Sequence, residues 1–228
     1  MSTDFDHFKD NYRRTLDEQI AFSGQDSSFF TEMKARILIN EARKFFGSVK
    51  DLRALDLGCG IGATDTYVAA SIKMLHGVDV APGVIEVAAA TNPSVDYRCY
   101  DGSSIPFPDA TFDLIFAINV LHHIAPKARL AAIREMRRAV RPGGLILIFE
   151  HNPLNPITAK VVQACPFDED AILLRMTEVR DLFRAAGLSL IDRAYFLFFP
   201  WRGRLFEIIE HGLRRLPLGA QYFVAARA

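Results

Sequence analysis

A turn carrying three glycines, set between an apolar run and the start of a helix, constrains this chain more than any other feature. Residues 55–65 read LDLGCGIGATD. The apolar run ends at Leu57, a helix is expected from about Ala63, and Gly58, Gly60 and Gly62 occupy the turn between them. Glycine tolerates positive φ and lets a bound group come close to the backbone. The first turn of a helix offers N–H groups with no partner inside the helix. Strand, glycine turn and helix in that order form one unit of an α/β sheet, which binds ligands at the carboxyl ends of its strands.

The chain repeats that unit. Apolar runs at 54–57, 75–80, 95–100, 112–118 and 145–150 alternate with helical stretches at 65–72, 82–90 and 126–140. Pro126 suits the first turn of the third helix, and Arg137, Arg138 and Arg141 suit its negative end. Pro142-Gly143-Gly144 is expected to stop it. The alternation predicts a parallel sheet covered on both faces. Farther on come a Pro-punctuated loop after Asn152, a helix over 177–186 capped by Gly187, and two late runs at 188–199 and 222–226. The two late runs, with helical spacing across 205–216 between them, predict an antiparallel pair at one edge. Before the first strand, Phe5, Phe8, Tyr12 and Leu16, then Met33, Ile37 and Ala42, predict two helices divided at Ser23-Gly24.

The glycine turn leaves its ligand open. Gly58-x-Gly60-x-x-Ala63 also satisfies the dinucleotide fingerprint, and Asp79 follows at the end of the next strand, where either class of ligand carries a ribose hydroxyl. Three features favour a nucleoside sulfonium. Asp56, two residues before Gly58, is unfavourable beside a pyrophosphate and useful beside an ammonium. A long helical segment precedes the first strand. No Tyr-x-x-x-Lys pair supplies the proton donor of a short-chain dehydrogenase.

Four blocks in order carry a family resemblance: LDLGCGIG at 55–62, GVDVAPGVIEVA at 77–88, YDGSSIPFPDATFDLIFAINVLHHI at 100–124 and RPGGLILIFE at 141–150. In these the chain resembles the class I S-adenosylmethionine-dependent methyltransferases, in particular the small-molecule branch that includes the ubiquinone and menaquinone C-methyltransferases. The resemblance implies a Rossmann-like, doubly wound, mostly parallel seven-stranded sheet in a single domain. Residues 1–50 would be a helical lid, 51–152 the cofactor-binding core, and 153–228 the acceptor-side elements and C-terminal strand pair. It also implies roles. Gly58, Gly60 and Gly62 would lie against the methionine moiety with Asp56 serving its ammonium, Asp79 would accept both ribose hydroxyls, and Val80 would contact adenine. Asp101, with Gly102 alongside, would bind the adenine amino group. Asn119 would sit near the sulfonium, and Tyr12 on the lid would reach the methionine carboxylate.

The acceptor side is less defined. His122, His123 and His151 follow the fourth and fifth strands and are the candidate general bases, with Glu150 a further one; Cys59 reads as a loop residue and Asp113 as structural. Phe29, Phe30, Phe196, Phe198, Phe199 and Trp201 are candidates for an apolar pocket bordered by residues 150–158. Residues 201–216 mix aliphatic residues with four arginines, which suits a helix over the sheet edge or a surface for a lipid-linked acceptor.

Composition removes other classes. Lys plus Arg and Asp plus Glu both number 27, so the footprint of a nucleic-acid binder is missing. The three cysteines form no CxxC pair, so neither a disulfide framework nor a zinc site is expected from them, and methyl transfer from a sulfonium needs no metal. The polar N-terminal stretch and short apolar runs predict neither signal peptide nor membrane span, hence a cytoplasmic protein. The competing readings are an NAD(P)-dependent oxidoreductase using the same glycines and a non-catalytic protein that keeps the cofactor fold. Acceptor identity and oligomeric state are not encoded in any motif found.

Overall fold

The computed structural model describes residues 12–228, the side chains of Tyr12, Arg13 and Phe167 excepted. Phe5, Phe8 and the Tyr12 side chain therefore lie outside the described residues. In chain order the elements are α1 (Tyr12–Ile20), α2 (Ser27–Phe46), β1 (Arg53–Leu57), α3 (Asp65–Val68), β2 (Met74–Asp79), α4 (Pro82–Thr91), β3 (Asp96–Cys99) and β4 (Phe112–Ile118). They continue with α5 (Pro126–Ala139), β5 (Val140–His151), α6 (Pro156–Ala164), α7 (Met176–Ala185), β6 (Ser189–Phe196), α8 (Arg204–Leu213) and β7 (Gln221–Arg227).

The strands form one seven-stranded sheet in the order β3-β2-β1-β4-β5-β7-β6. Pairing is parallel from β3 through β5, and β7 runs antiparallel to both β5 and β6. The expected antiparallel pair is present, with β7 inserted inside β6, so β7 alone opposes the sheet direction. Chain order reverses between β1 and β4, and such a switch point opens a crevice at the carboxyl ends of the two strands.

Period-two alternation assigns side chains to two cores. Ile115, Ala117, Ile146 and Ile148 pack under Ile133 and Met136 of α5 and Val179 and Phe183 of α7. On the other face Leu114, Phe116, Leu145, Leu147 and Phe149 pack under Phe29, Ala35, Leu38 and Ala42 of α2. Ala54 belongs to this second face, so Asp56, two residues on, also points toward α2. Thus α2 is a layer of the fold, while α1 runs beside α6, to which Gln19 Nε2 donates at the Ala164 carbonyl. Only α1 of the described residues is left for the expected lid.

Two local expectations are corrected. Pro142-Gly143-Gly144 does not terminate α5, which ends at Ala139; it lies within β5, which already starts at Val140. The pairing of β4 with β5 breaks register between Phe112 and Leu114 at this point. A Cβ on Gly144 would lie 2.7 Å from the Asp113 carbonyl oxygen, so glycine allows the irregular strand start to press against β4. Asp113 is structural, as expected: its carboxylate accepts from the Arg53 backbone N–H at 2.8 Å and from Arg141 Nε at 2.6 Å. The second correction is α6, expected to be loop. Asn155 caps it by accepting from the Ile157 and Thr158 N–H groups, and Pro156 occupies its first turn.

Farther along, α8 buries none of its residues, and polar contacts tie it and the residue after it to β6 and the segment that follows β6. Glu210 Oε1 accepts from the Phe198 and Phe199 N–H groups, and Arg214 Nη2 donates to Asp192 Oδ2. Phe29 and Phe196, candidates for the acceptor pocket, are core residues of the α2 face. No helix among the described residues is long and apolar enough to cross a membrane.

Candidate functional site at the switch-point crevice

The glycine turn leaves β1 and folds over the end of β2. The Gly58 and Cys59 N–H groups donate to the Val78 carbonyl. Gly58 has φ 75°, and a Cβ there would meet Val120 Cγ2 at 2.5 Å, so the turn can pack against the β4 end only without a side chain. Gly60 differs. At φ 53° its absent Cβ would point into open space, and its N–H donates to Asp79 Oδ2 at 2.9 Å. Gly62 leads into α3, and its carbonyl accepts from Asn92 Nδ2. Asp79 Oδ1 also accepts from the Ala81 N–H at 3.1 Å. Asp79 thus ties the glycine turn and the residue after Val80 to the end of β2.

Beside the turn lies a buried polar group. Asp56 is 3% exposed and Asp65 fully buried. Each leaves Oδ1 without a partner, while Tyr97 Oη donates to Asp65 Oδ2 at 2.7 Å. Burial, reinforced by the nearby Asp65 and Asp79, pushes the Asp56 carboxyl well above the usual range, and burial lifts Asp65 to about 6. The sequence predicts Asp56 as an anion turned toward the glycine loop. It is one half of a carboxyl pair turned under α2 by strand alternation. Lys34, on the buried face of α2, has its ammonium lowered to about 8 by burial, against the opposing pull of Glu150, Asp56 and Asp168. Asn119 sits at the mouth of β4 in the left-handed region, φ 59°, with a buried Oδ1 that has no partner. Asp56 Oδ1 and Asn119 Oδ1 are thus two unmatched acceptors at the ends of the two strands that frame the crevice.

At the rim, Val80 is 42% exposed, and a Cβ on Gly102 would approach its Cγ1 to 3.2 Å, so the two residues share one wall. Asp101 is exposed. Its Oδ1 accepts from the Ser104 and Ser103 N–H groups, and these bonds hold its carboxyl below the ordinary value. Cys59 stays a buried thiol, its ionisation pushed up by burial.

The histidines gather at the other end of the crevice. Glu150 is fully buried. Its Oε1 accepts from the Val120 and Leu121 N–H groups at 3.1 and 2.7 Å, and its Oε2 meets His122 Nδ1 at 2.5 Å. All of this engages Glu150 in anchoring the turn after β4, which removes it as a candidate base. His122 Nε2 and His123 Nε2 face the same oxygen, Asp168 Oδ1, at 3.3 and 3.4 Å. Burial opposes charge on His122, but the Glu150 and Asp168 carboxylates prevail and raise it to about 9. Burial and the His122 charge lower His123 to about 4. Burial lowers His151 to about 3; its Nδ1 contacts Gln221 Nε2 at 3.3 Å, and its ring lies 5.4 Å from that of His122.

Sequence reasoning missed Lys34, Asp65, Asp168 and Gln221. Lys34 was detectable as a charge within the apolar stripe that ends in Leu38 and Ala42. Asp168, in the short 3-10 turn Pro166–Asp168 after α6, had no periodic signal to find it by.

Residues 55–148 match the methyltransferase domain family. Norajmaline N-methyltransferase of Rauvolfia serpentina is 30% identical over 55% of this chain and 47% of its own. The 27-O-demethylrifamycin SV methyltransferase of Amycolatopsis mediterranei is 33% identical over 42% of this chain and 37% of its own. The chain spans about half the length of the curated relatives it matches. In fold it is similar to an S-adenosylmethionine-dependent methyltransferase of Thermotoga maritima, with TM-score 0.69 and 18% identity over 100% of this chain and 99% of the other.

Proposed function

We propose that this chain, which matches the methyltransferase domain family through residues 55–148, is a class I S-adenosylmethionine-dependent methyltransferase that moves the cofactor's methyl group to an oxygen, nitrogen or carbon of a small-molecule acceptor. The observation that carries this is the pair of unmatched buried acceptors, Asp56 Oδ1 and Asn119 Oδ1, at the strand ends beside the open face of Gly60. An ammonium supplies the donors they lack. A pyrophosphate would instead meet two buried carboxyls, and the relatives give the oxidoreductase and non-catalytic readings no support.

The cofactor supplies an electrophilic methyl carbon; the chain binds, orients and excludes water. We assign the ribose hydroxyls to Asp79, the adenine face to Val80 and Gly102, the adenine amino group to Asp101, and the methionine moiety to Gly58, Gly60 and Gly62 with Asp56 and Asn119. For the methionine carboxylate we add Lys34 to the earlier candidate Tyr12. Where the acceptor's nucleophile carries a proton, His123 and His151, neutral at pH 7, are the groups to receive it, because His122 is already an imidazolium between two carboxylates. An apolar or lipid-linked acceptor is supported by the exposed Trp201, Leu205 and Ile208 on and before α8. A screen of phenols, amines and prenylated or lipid acceptors with methyl-labelled cofactor tests the activity; label transfer to none of them, by protein that binds S-adenosylhomocysteine, would count against turnover.

Lys34 gives this reading a pH dependence. Its ammonium is present below about pH 8 and lost above it. Cofactor affinity is therefore expected to fall as pH rises through that value, and Lys34→Arg, which stays charged, should remove the fall. Lys34→Met should raise the cofactor KM about 10- to 100-fold, the equivalent of one hydrogen bond to a charged group, with kcat little changed. Initial rates across pH check both expectations.

A further inference from the structure

We propose that His122, His123 and Asp168 form a binding site for one divalent transition-metal ion at the histidine end of the crevice. Among the described residues these three are the group whose donor atoms all lie within 4.8 Å of one another. The two measured edges, 3.3 and 3.4 Å from Asp168 Oδ1 to the histidine Nε2 atoms, equal the donor separation of about 3.3 Å in a tetrahedron with ligand distances of 2.0–2.1 Å.

The surroundings fit a ligand role. His122 Nδ1 is engaged by Glu150 Oε2, the carboxylate–histidine arrangement that orients a metal-ligating ring and sends the other nitrogen to the ion. That nitrogen, Nε2, belongs to a ring only 1% exposed and faces Asp168 Oδ1 at 3.3 Å. Loading releases the Nε2 proton of His122 to solvent, and the ion takes its place between the ring and the Asp168 carboxylate. The third ligand is held in register from outside the turn. The Ile172 N–H donates to the His122 carbonyl, and Arg129 spans the Leu121, Ile124 and Ile172 carbonyls. Glu150 and Asp168 carry two negative charges, matching the two positive charges of the ion.

Two imidazoles and one carboxylate suit zinc, cobalt, iron or nickel rather than magnesium or calcium, which prefer all-oxygen shells. Three protein donors leave one position open. The site is read from the donor set and does not rest on methyl transfer. Loading would take the His123 lone pair out of proton transfer, so the test uses binding without turnover.

Full-length protein, stripped with a chelator and dialysed, is titrated with cobalt(II) chloride while visible d–d absorption is followed, and with zinc chloride by calorimetry. One equivalent is expected to bind, with the intense bands of a low-symmetry site. His123→Ala and Asp168→Asn should each weaken binding about 100-fold or more, beyond the range typical for loss of an outer-shell partner. Both variants avoid the fully buried His122, and circular dichroism confirms their fold. Absence of saturable cobalt bands overturns the proposal, as do bands unchanged in both variants. Calorimetry of S-adenosylhomocysteine on Asp168→Asn is expected to match wild type, so cofactor binding and metal binding can fail separately.

Discussion

Replacing Asp79 with alanine is expected to abolish measurable cofactor binding. The Asp79 carboxylate joins β2 to the glycine turn through the Gly60 and Ala81 N–H groups, and the two ribose hydroxyls are assigned to the same carboxylate. Each hydrogen bond to a charged group contributes about 1.5–3 kcal/mol, so losing two weakens binding about 10²- to 10⁴-fold. The same change leaves two backbone donors near the surface without their partner, and the protein alone should lose about 1–3 kcal/mol of stability. Asp79→Asn keeps the shape and one oxygen, and should lie between alanine and wild type in both measurements. Equilibrium titration with S-adenosylhomocysteine, beside urea unfolding of the same samples, separates the two effects. Wild-type affinity in Asp79→Ala would remove the ribose assignment.

The second large effect is on stability. Glu150 is a fully buried carboxylate that accepts from two backbone N–H groups and the His122 ring. Glu150→Ala strands all three donors, and breaking a buried pair from one side costs about 3–5 kcal/mol. The pH dependence has a definite sign. The folded pKa of His122 is raised from 6.5 to about 9, so its contribution is fully present below about pH 6.5 and is lost as pH rises through about 9. Wild-type urea midpoints should therefore fall across that interval. In Glu150→Ala, which lacks the buried carboxylate on His122 Nδ1, the fall should be smaller. A midpoint insensitive to Glu150→Ala would mean that the turn after β4 is held by its other contacts, among them Arg129 and the Ile172 N–H.

The parallel half of the fold was legible because buried strands read as continuous apolar runs and their helices carry capping signals, such as Pro126 at the start of α5. Where that grammar was ambiguous the reading slipped. Pro142-Gly143-Gly144 looks like a helix stop, but its contact with Asp113 belongs to strand pairing, which only tertiary structure reveals. By contrast, Asn155-Pro156 is a readable cap, although prolines at 153 and 156 also suit a loop. The positions of Gly58, Gly60, Asp79 and Asn119 were legible for a related reason: all sit at strand ends, which local sequence locates. Asp65 and Lys34 were missed because their importance comes from long-range neighbours, Tyr97 and Asp56 for Asp65 and the Glu150, Asp56 and Asp168 carboxylates for Lys34. Asp168 lies about 45 residues beyond His123 in a turn without periodicity, and only the packing of residues 168–172 on the His122 turn brings it in.

A crystal structure with S-adenosylhomocysteine tests the central claim most directly. The account expects both ribose hydroxyls on the Asp79 carboxylate, adenine between Val80 and Gly102, and the amino-acid tail over Gly60 with its ammonium at Asp56 and Asn119. Density for the ligand away from Asp79, or a tail turned from Gly60 with Asp56 and Asn119 still unmatched, would contradict it.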